Sequence, residues 1–163
     1  MNFVFDTSAI IMLIEICHLK TQLLQFSEWN TLLMPPRVKD EFLNGSVSPS
    51  DASTLEEIFS VAPVELDERL LPYFNFDASD GAIWVMSYAC KHSDCCCVID
   101  EEYGRKICEL FGLEFTGAIG IITKMRKTGL LSDQKILEIK DGIRRSAFYY
   151  TEQLLSEFNF HDK

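Results

Sequence analysis

Short apolar runs alternate with amphipathic stretches along nearly the whole chain. Asn2-Phe3-Val4-Phe5 reads as a strand ending at Asp6. Thr7-Ser8 then offers capping hydroxyls, and Ala9 to Ile16 reads as a helix. His18 to Phe26 continues as a second helical stretch, and Thr31 to Met34 is a short strand stopped by Pro35-Pro36. Proline suits a first helical turn, so Arg37 to Leu43 is expected to be helical and to end at Asn44-Gly45. Further helices are expected near Ala52 to Ser60, from Ser79-Asp80 to Lys91, over Glu101 to Phe111, from Thr116-Gly117 to Lys127, and over Ser132 to Asp141 and Ala147 to Phe158. Val61 to Leu66 reads as an edge strand because it contains Pro63. Cys95 to Ile99 is a continuous apolar run bounded by charge, the pattern of a strand buried on both faces, and Leu113 to Phe115 reads as extended. Strands alternating with helices imply βαβ units, hence an α/β fold with a mostly parallel sheet between helical layers.

There is no internal repeat, linker or low-complexity tract. The 163 residues suit one domain over 1–163, with a core at about 2–130 and C-terminal helices at about 132–158. No apolar run reaches the ~18 residues that span a bilayer, and the N-terminus shows no basic segment or cleavage site, so a cytoplasmic location and no membrane partner are expected. Fifteen basic against 25 acidic residues give a net charge of −10. Bulk attraction therefore does not hold a polyanion here; a metal ion or a confined basic patch must reverse the local sign. Of the six cysteines, three are consecutive, which favours burial over pairing. Cys90-x-His92-x-x-Cys95 offers zinc-type ligands, but the spacing matches no standard site.

The informative feature is where the carboxylates fall. Asp6 and Asp100 each follow a strand, and ligands of open α/β sheets gather outside the carboxyl ends of strands. Glu41 lies in the helix after the Met34 strand, and Asp80 opens the helix before the Cys-rich strand. All four are expected at one sheet edge. Two such charges ~6 Å apart repel by about 3 kcal/mol at an effective dielectric near 20. Oxygen donors gathered this way call for Mg²⁺ or Mn²⁺, which clamp phosphate oxygens and activate water. Each acid also suits a plainer role: Asp6, Asp80 and Asp100 as helix caps, Glu41 as a solvated surface charge.

At these residues the chain resembles the PIN-domain nucleases, most closely the small prokaryotic type that includes toxins of toxin–antitoxin pairs. Phe3 to Ile11 is similar to the family's opening strand with its first metal aspartate. Pro36 to Phe42 resembles the segment with its glutamate, and Asp77 to Ile83 the acidic start of its central helix. Val98 to Lys106 resembles the strand end with Asp and Arg, and Phe115 to Ile122 and Lys127 to Leu131 the later turn, helix and loop. The ordered match runs from Phe3 to about Leu155.

The resemblance implies a three-layer α/β/α sandwich and a divalent-metal-dependent endoribonuclease leaving a 5′-phosphate and a 3′-hydroxyl. Asp6, Glu41, Asp80 and Asp100 would be both catalytic residues and metal ligands. Ser79-Asp80-Gly81 departs from the Gly-Glu-Ala-Glu common among relatives, so Asp77 is a rival, and Glu101 or Glu102 would be supplementary ligands. Ser8, Arg105, Lys124, Arg126 and Lys127 are candidate substrate contacts, with Arg144-Arg145 a further basic pair. RNA is the expected substrate, and an antitoxin and a second copy of the chain are the expected partners. The altered central-helix motif keeps an alternative open: a PIN-like protein-binding subunit with a weak or inactive site.

Overall fold

The computed structural model describes residues 1–45, 49–146 and Leu155. Five parallel strands form its sheet: β1 (Asn2–Phe5), β2 (Thr31–Met34), β3 (Ser60–Val61), β4 (Cys95–Val98) and β5 (Phe115–Thr116). Their order across the sheet is β3-β2-β1-β4-β5. The chain winds outward from β1 in one direction, returns, and winds outward in the other. The topological switch point therefore lies between β1 and β4, where Phe5 stands opposite Val98.

Helices flank the sheet to give the α/β/α sandwich: α1 (Thr7–Ile11), α2 (Lys20–Phe26), α3 (Pro36–Asn44), α4 (Pro49–Ile58), α5 (Gly81–Lys91), α6 (Glu102–Leu110), α7 (Ala118–Lys127) and α8 (Asp133–Arg145). Burial explains the composition of the central strands. Phe3, Val4 and Phe5 of β1 and all four residues of β4 are buried, so neither strand shows hydrophobic alternation. Phe5 meets Phe59, the residue between α4 and β3, edge-on at 5.0 Å, and Phe3 lies 5.9 Å from Phe26 at the end of α2. All six cysteines are free thiols, and Cys17, Cys95, Cys96, Cys97 and Cys108 are buried as small apolar side chains.

Several details differ from the pattern-based expectation. The first helix is capped by Asp6, not by the hydroxyls of Thr7-Ser8. Asp6 keeps extended backbone angles and its carboxylate accepts from the Thr7 N–H, while Thr7 is already helical. That helix passes into a π turn at Met12–Ile16, and His18 adopts a positive φ of 53° before α2 begins. The expected strand at Val61–Leu66 is reduced to Ser60–Val61, because Pro63 has no N–H to continue the ladder. A 3-10 helix at Glu68–Phe74, carrying Pro72, fills a segment with no clear periodicity. α8 runs four residues past Asp141 to Arg145, with Ile136, Ile139 and Ile143 on its buried side. The helix expected over Ala147 to Phe158 lies outside the described residues, apart from Leu155.

Candidate active site

Asp6 stands at the centre of the carboxyl edge. Its backbone N–H donates to the Val98 carbonyl at 3.0 Å, fastening the end of β1 to β4. Its Oδ1 accepts from the Thr7 N–H at 2.8 Å. The side chain is buried, with only 5% of the residue exposed. Burial is the main reason its pKa rises to about 7; the Thr7 N–H opposes the rise, and the charges of Asp80, Glu101 and Glu41 add to it. Asp6 therefore lies in the electrostatic field of acids from α3, the start of α5 and the start of α6.

Glu41 reaches this edge because α3 follows directly on β2. Thr7 Oγ1 donates to its Oε1 at 3.3 Å, and the Gly81 N–H also bonds its carboxylate. A Cβ at Gly81 would collide with that Oε1 and stand 3.0 Å from Val38 Cγ2, so only glycine lets Glu41 approach α5 this closely. This is the physical content of Gly81 in the Ser79-Asp80-Gly81 segment. The pKa of Glu41 is raised, first by burial and then by the Asp80 charge. Asp80 itself is exposed and caps α5, its Oδ1 accepting from the Ala82 N–H at 3.0 Å.

Asp100 follows β4 by two residues and turns to α7. Its Oδ1 accepts from the Ala118 N–H at 2.9 Å and lies 3.9 Å from Arg105 Nη2. Gly117 makes this approach possible, since a Cβ there would stand 2.6 Å from the same oxygen and collide with the guanidinium. Oδ2 of Asp100 is buried without a hydrogen-bond partner, as is Oγ of Ser8. Burial raises the Asp100 pKa; Ala118 and Arg105 oppose this, and Glu101 adds to it. Glu101 thus acts on both Asp6 and Asp100.

The other candidates divide by position. Asp77 is exposed, accepts from the Ser79 N–H at 2.9 Å, and is held below the ordinary carboxylate range chiefly by its bonds with Ser79. Glu102 is exposed and lies 3.5 Å from Lys106. Arg105 donates from Nε to the Ile99 carbonyl at 2.9 Å and lies over the Phe115 ring. Arg126 donates to the Leu131 carbonyl at 2.8 Å and pairs with Asp133, so it ties α7 to the start of α8. Lys124 and Lys127 are exposed on α7. Arg144 and Arg145 both engage Asp141, through its carboxylate and its carbonyl. Pattern reading passed over Thr7 and Gly81 as parts of the site. Gly81 carries a visible signal, a glycine directly after an acid at a helix start.

The donor set is entirely oxygen, which in kind suits a hard dication. The unpartnered Oδ2 of Asp100 and the raised pKa values of Asp6, Glu41 and Asp100 fit the same chemistry, because a dication would hold all three ionised. Among the described residues, no three His, Cys, Asp or Glu side chains already form a metal cage.

The chain is an α/β protein with a doubly wound parallel sheet, and Asp6 lies buried at its switch point in the field of Asp80, Glu101 and Glu41. A family model described as a PIN domain matches residues 2–159, and the chain belongs to that family, whose fold is of the nuclease type. No curated protein matches the chain. Among the described residues, no helix is long and apolar enough to cross a membrane.

Proposed function

We propose that the protein is a divalent-metal-dependent endoribonuclease, with Mg²⁺ or Mn²⁺ held by Asp6, Glu41, Asp80 and Asp100 and assisted by Glu101. The observation that carries this reading is the burial of Asp6 within the field of three other acids, against the switch point of a nuclease-type fold. When bound, the ion supplies Lewis acidity and positive charge for phosphoryl transfer. The chain's own groups provide the preorganisation. The Thr7 N–H fixes Asp6, the Thr7 hydroxyl and Gly81 N–H fix Glu41, and the Ala118 N–H fixes one oxygen of Asp100 while leaving the other available. Arg105 stands beside Asp100 with part of its side chain in solvent, where it can meet a phosphate.

The test is cleavage of an end-labelled single-stranded oligoribonucleotide in Mn²⁺ and in EDTA. Wild type should cut only with the metal and leave 5′-phosphate and 3′-hydroxyl ends. Asp6→Asn and Asp100→Asn should each lose at least about a hundredfold, in the range expected for removing preorganised electrostatic groups. Full activity of the double variant would end the proposal.

A further inference from the structure

Beside the acids opens a cavity of about 370 Å³ whose wall includes Asp80 and Glu101 together with Tyr73, Phe74, Asn75 and Tyr103. Tyr103 is 56% exposed although its position is fixed. Its hydroxyl donates to the Tyr73 carbonyl at 2.5 Å, and its ring meets Phe74 edge-on at 6.4 Å. Tyr73 is held in turn against Phe111, edge-on at 5.6 Å. The chain here takes two consecutive left-handed residues, Asn75 at φ 55° and Phe76 at φ 56°. That is an unfavourable conformation for a bulky side chain, and such outliers concentrate at functional sites.

A ring held by its hydroxyl and by a perpendicular contact with Phe74, yet more than half open to solvent, has already lost the side-chain freedom that stacking would otherwise cost. The neighbouring acids and the net charge of −10 oppose a phosphate backbone. A neutral, flat group meets no such opposition. Stacking of unpaired bases on aromatic rings is the usual means of gripping single strands and is indifferent to net charge. Asn75 adds an amide that can donate to and accept from a base edge.

We propose that Tyr103 is the stacking platform for an unpaired nucleobase adjoining the bond to be cut, with Tyr73 and Asn75 completing the subsite. This rests on the nuclease reading of the adjoining acids. The experiment titrates the full chain into an oligoribonucleotide carrying 2-aminopurine in Ca²⁺, which offsets the acids' charge, with the strand checked to be uncut, and separately measures wild-type cleavage of the same strand in Mn²⁺. Stacking should quench the 2-aminopurine on binding. Tyr103→Leu should weaken binding about tenfold and abolish the quench, while Tyr103→Phe, which keeps the ring and loses only the hydroxyl anchor, should keep the quench with about a twofold to fourfold loss of affinity, both with melting temperatures near wild type. Cleavage of the strand with no quench, or binding by Tyr103→Leu equal to wild type, would overturn the subsite and leave the nuclease reading intact. Quenching that depends on Tyr103 with no cleavage in Mn²⁺ would support the subsite and overturn the nuclease reading.

Discussion

Replacing Asp6 by asparagine should stabilise the metal-free protein at alkaline pH. The buried carboxyl has its pKa raised from 3.8 to about 7. Between those values the folded state binds more protons than the unfolded chain, so stability falls as pH rises from 3.8 through about 7 and then levels off. The full effect is about 4 kcal/mol above pH 7 and about 2 kcal/mol at pH 5.5. Asparagine has no charge to lose, still accepts from the Thr7 N–H, and is as good an N-cap as aspartate. Asp6→Asn should therefore exceed wild type by about 4 kcal/mol at pH 8.5 in EDTA, roughly 10 °C in melting temperature for a chain of this size. The advantage should halve by pH 5.5. Urea unfolding at both pH values measures it. An Asp6→Asn protein no more stable than wild type at pH 8.5, or one whose advantage does not shrink at pH 5.5, would refute the burial and charge argument for Asp6.

Gly81→Ala should cut metal-dependent cleavage at least about tenfold by pushing Glu41 off the helix start, with stability within about 1 kcal/mol of wild type because the flexible Glu41 side chain can swing away and alanine favours the helix; equal cleavage at saturating Mn²⁺ would show that Glu41 is dispensable. Arg126→Ala should lower stability by about 1–2 kcal/mol through loss of its bonds to Leu131 and Asp133, while leaving the salt dependence of RNA binding unchanged; a shallower salt slope would instead place Arg126 against phosphate. A thiol reagent should modify Cys90 first in the native protein, though more slowly than a free thiol because burial and the Asp67 charge raise its pKa, and all six cysteines only after denaturation, since the other five are buried; rapid native labelling of several thiols would contradict the packing of β4.

Much of the fold was legible because burial leaves a plain mark. β4 announces itself as an unbroken apolar run, and Asp6 and Asp100 stand out as the acids that end apolar strands. β3 was overread because Val61 to Leu66 carries strand-forming residues whose ladder Pro63 then interrupts. The 3-10 helix at Glu68–Phe74 escaped because three-residue periodicity over a short segment has no distinct signature. At the site, the residue types were readable but their partners were not. Asp100 lies 18 residues from Ala118, and Thr7 lies 34 from Glu41. Such bonds depend on how β5 and α3 dock against β1 and β4, which local pattern does not encode. Arg126, which reads as a basic surface group near a helix end, is largely taken up by the turn into α8.

The central claim is that acids from separate elements act as one dication site. The direct measurement is calorimetric titration of Mn²⁺ into the wild-type protein and into Asp6→Asn at pH 6.5, below the Asp6 pKa of about 7. Wild type should bind saturably with release of protons, since an aspartate titrating near 7 must ionise to ligate, and Asp6→Asn should lose both the binding and the proton release. Absence of saturable heat in wild type, or identical binding by Asp6→Asn, would contradict it.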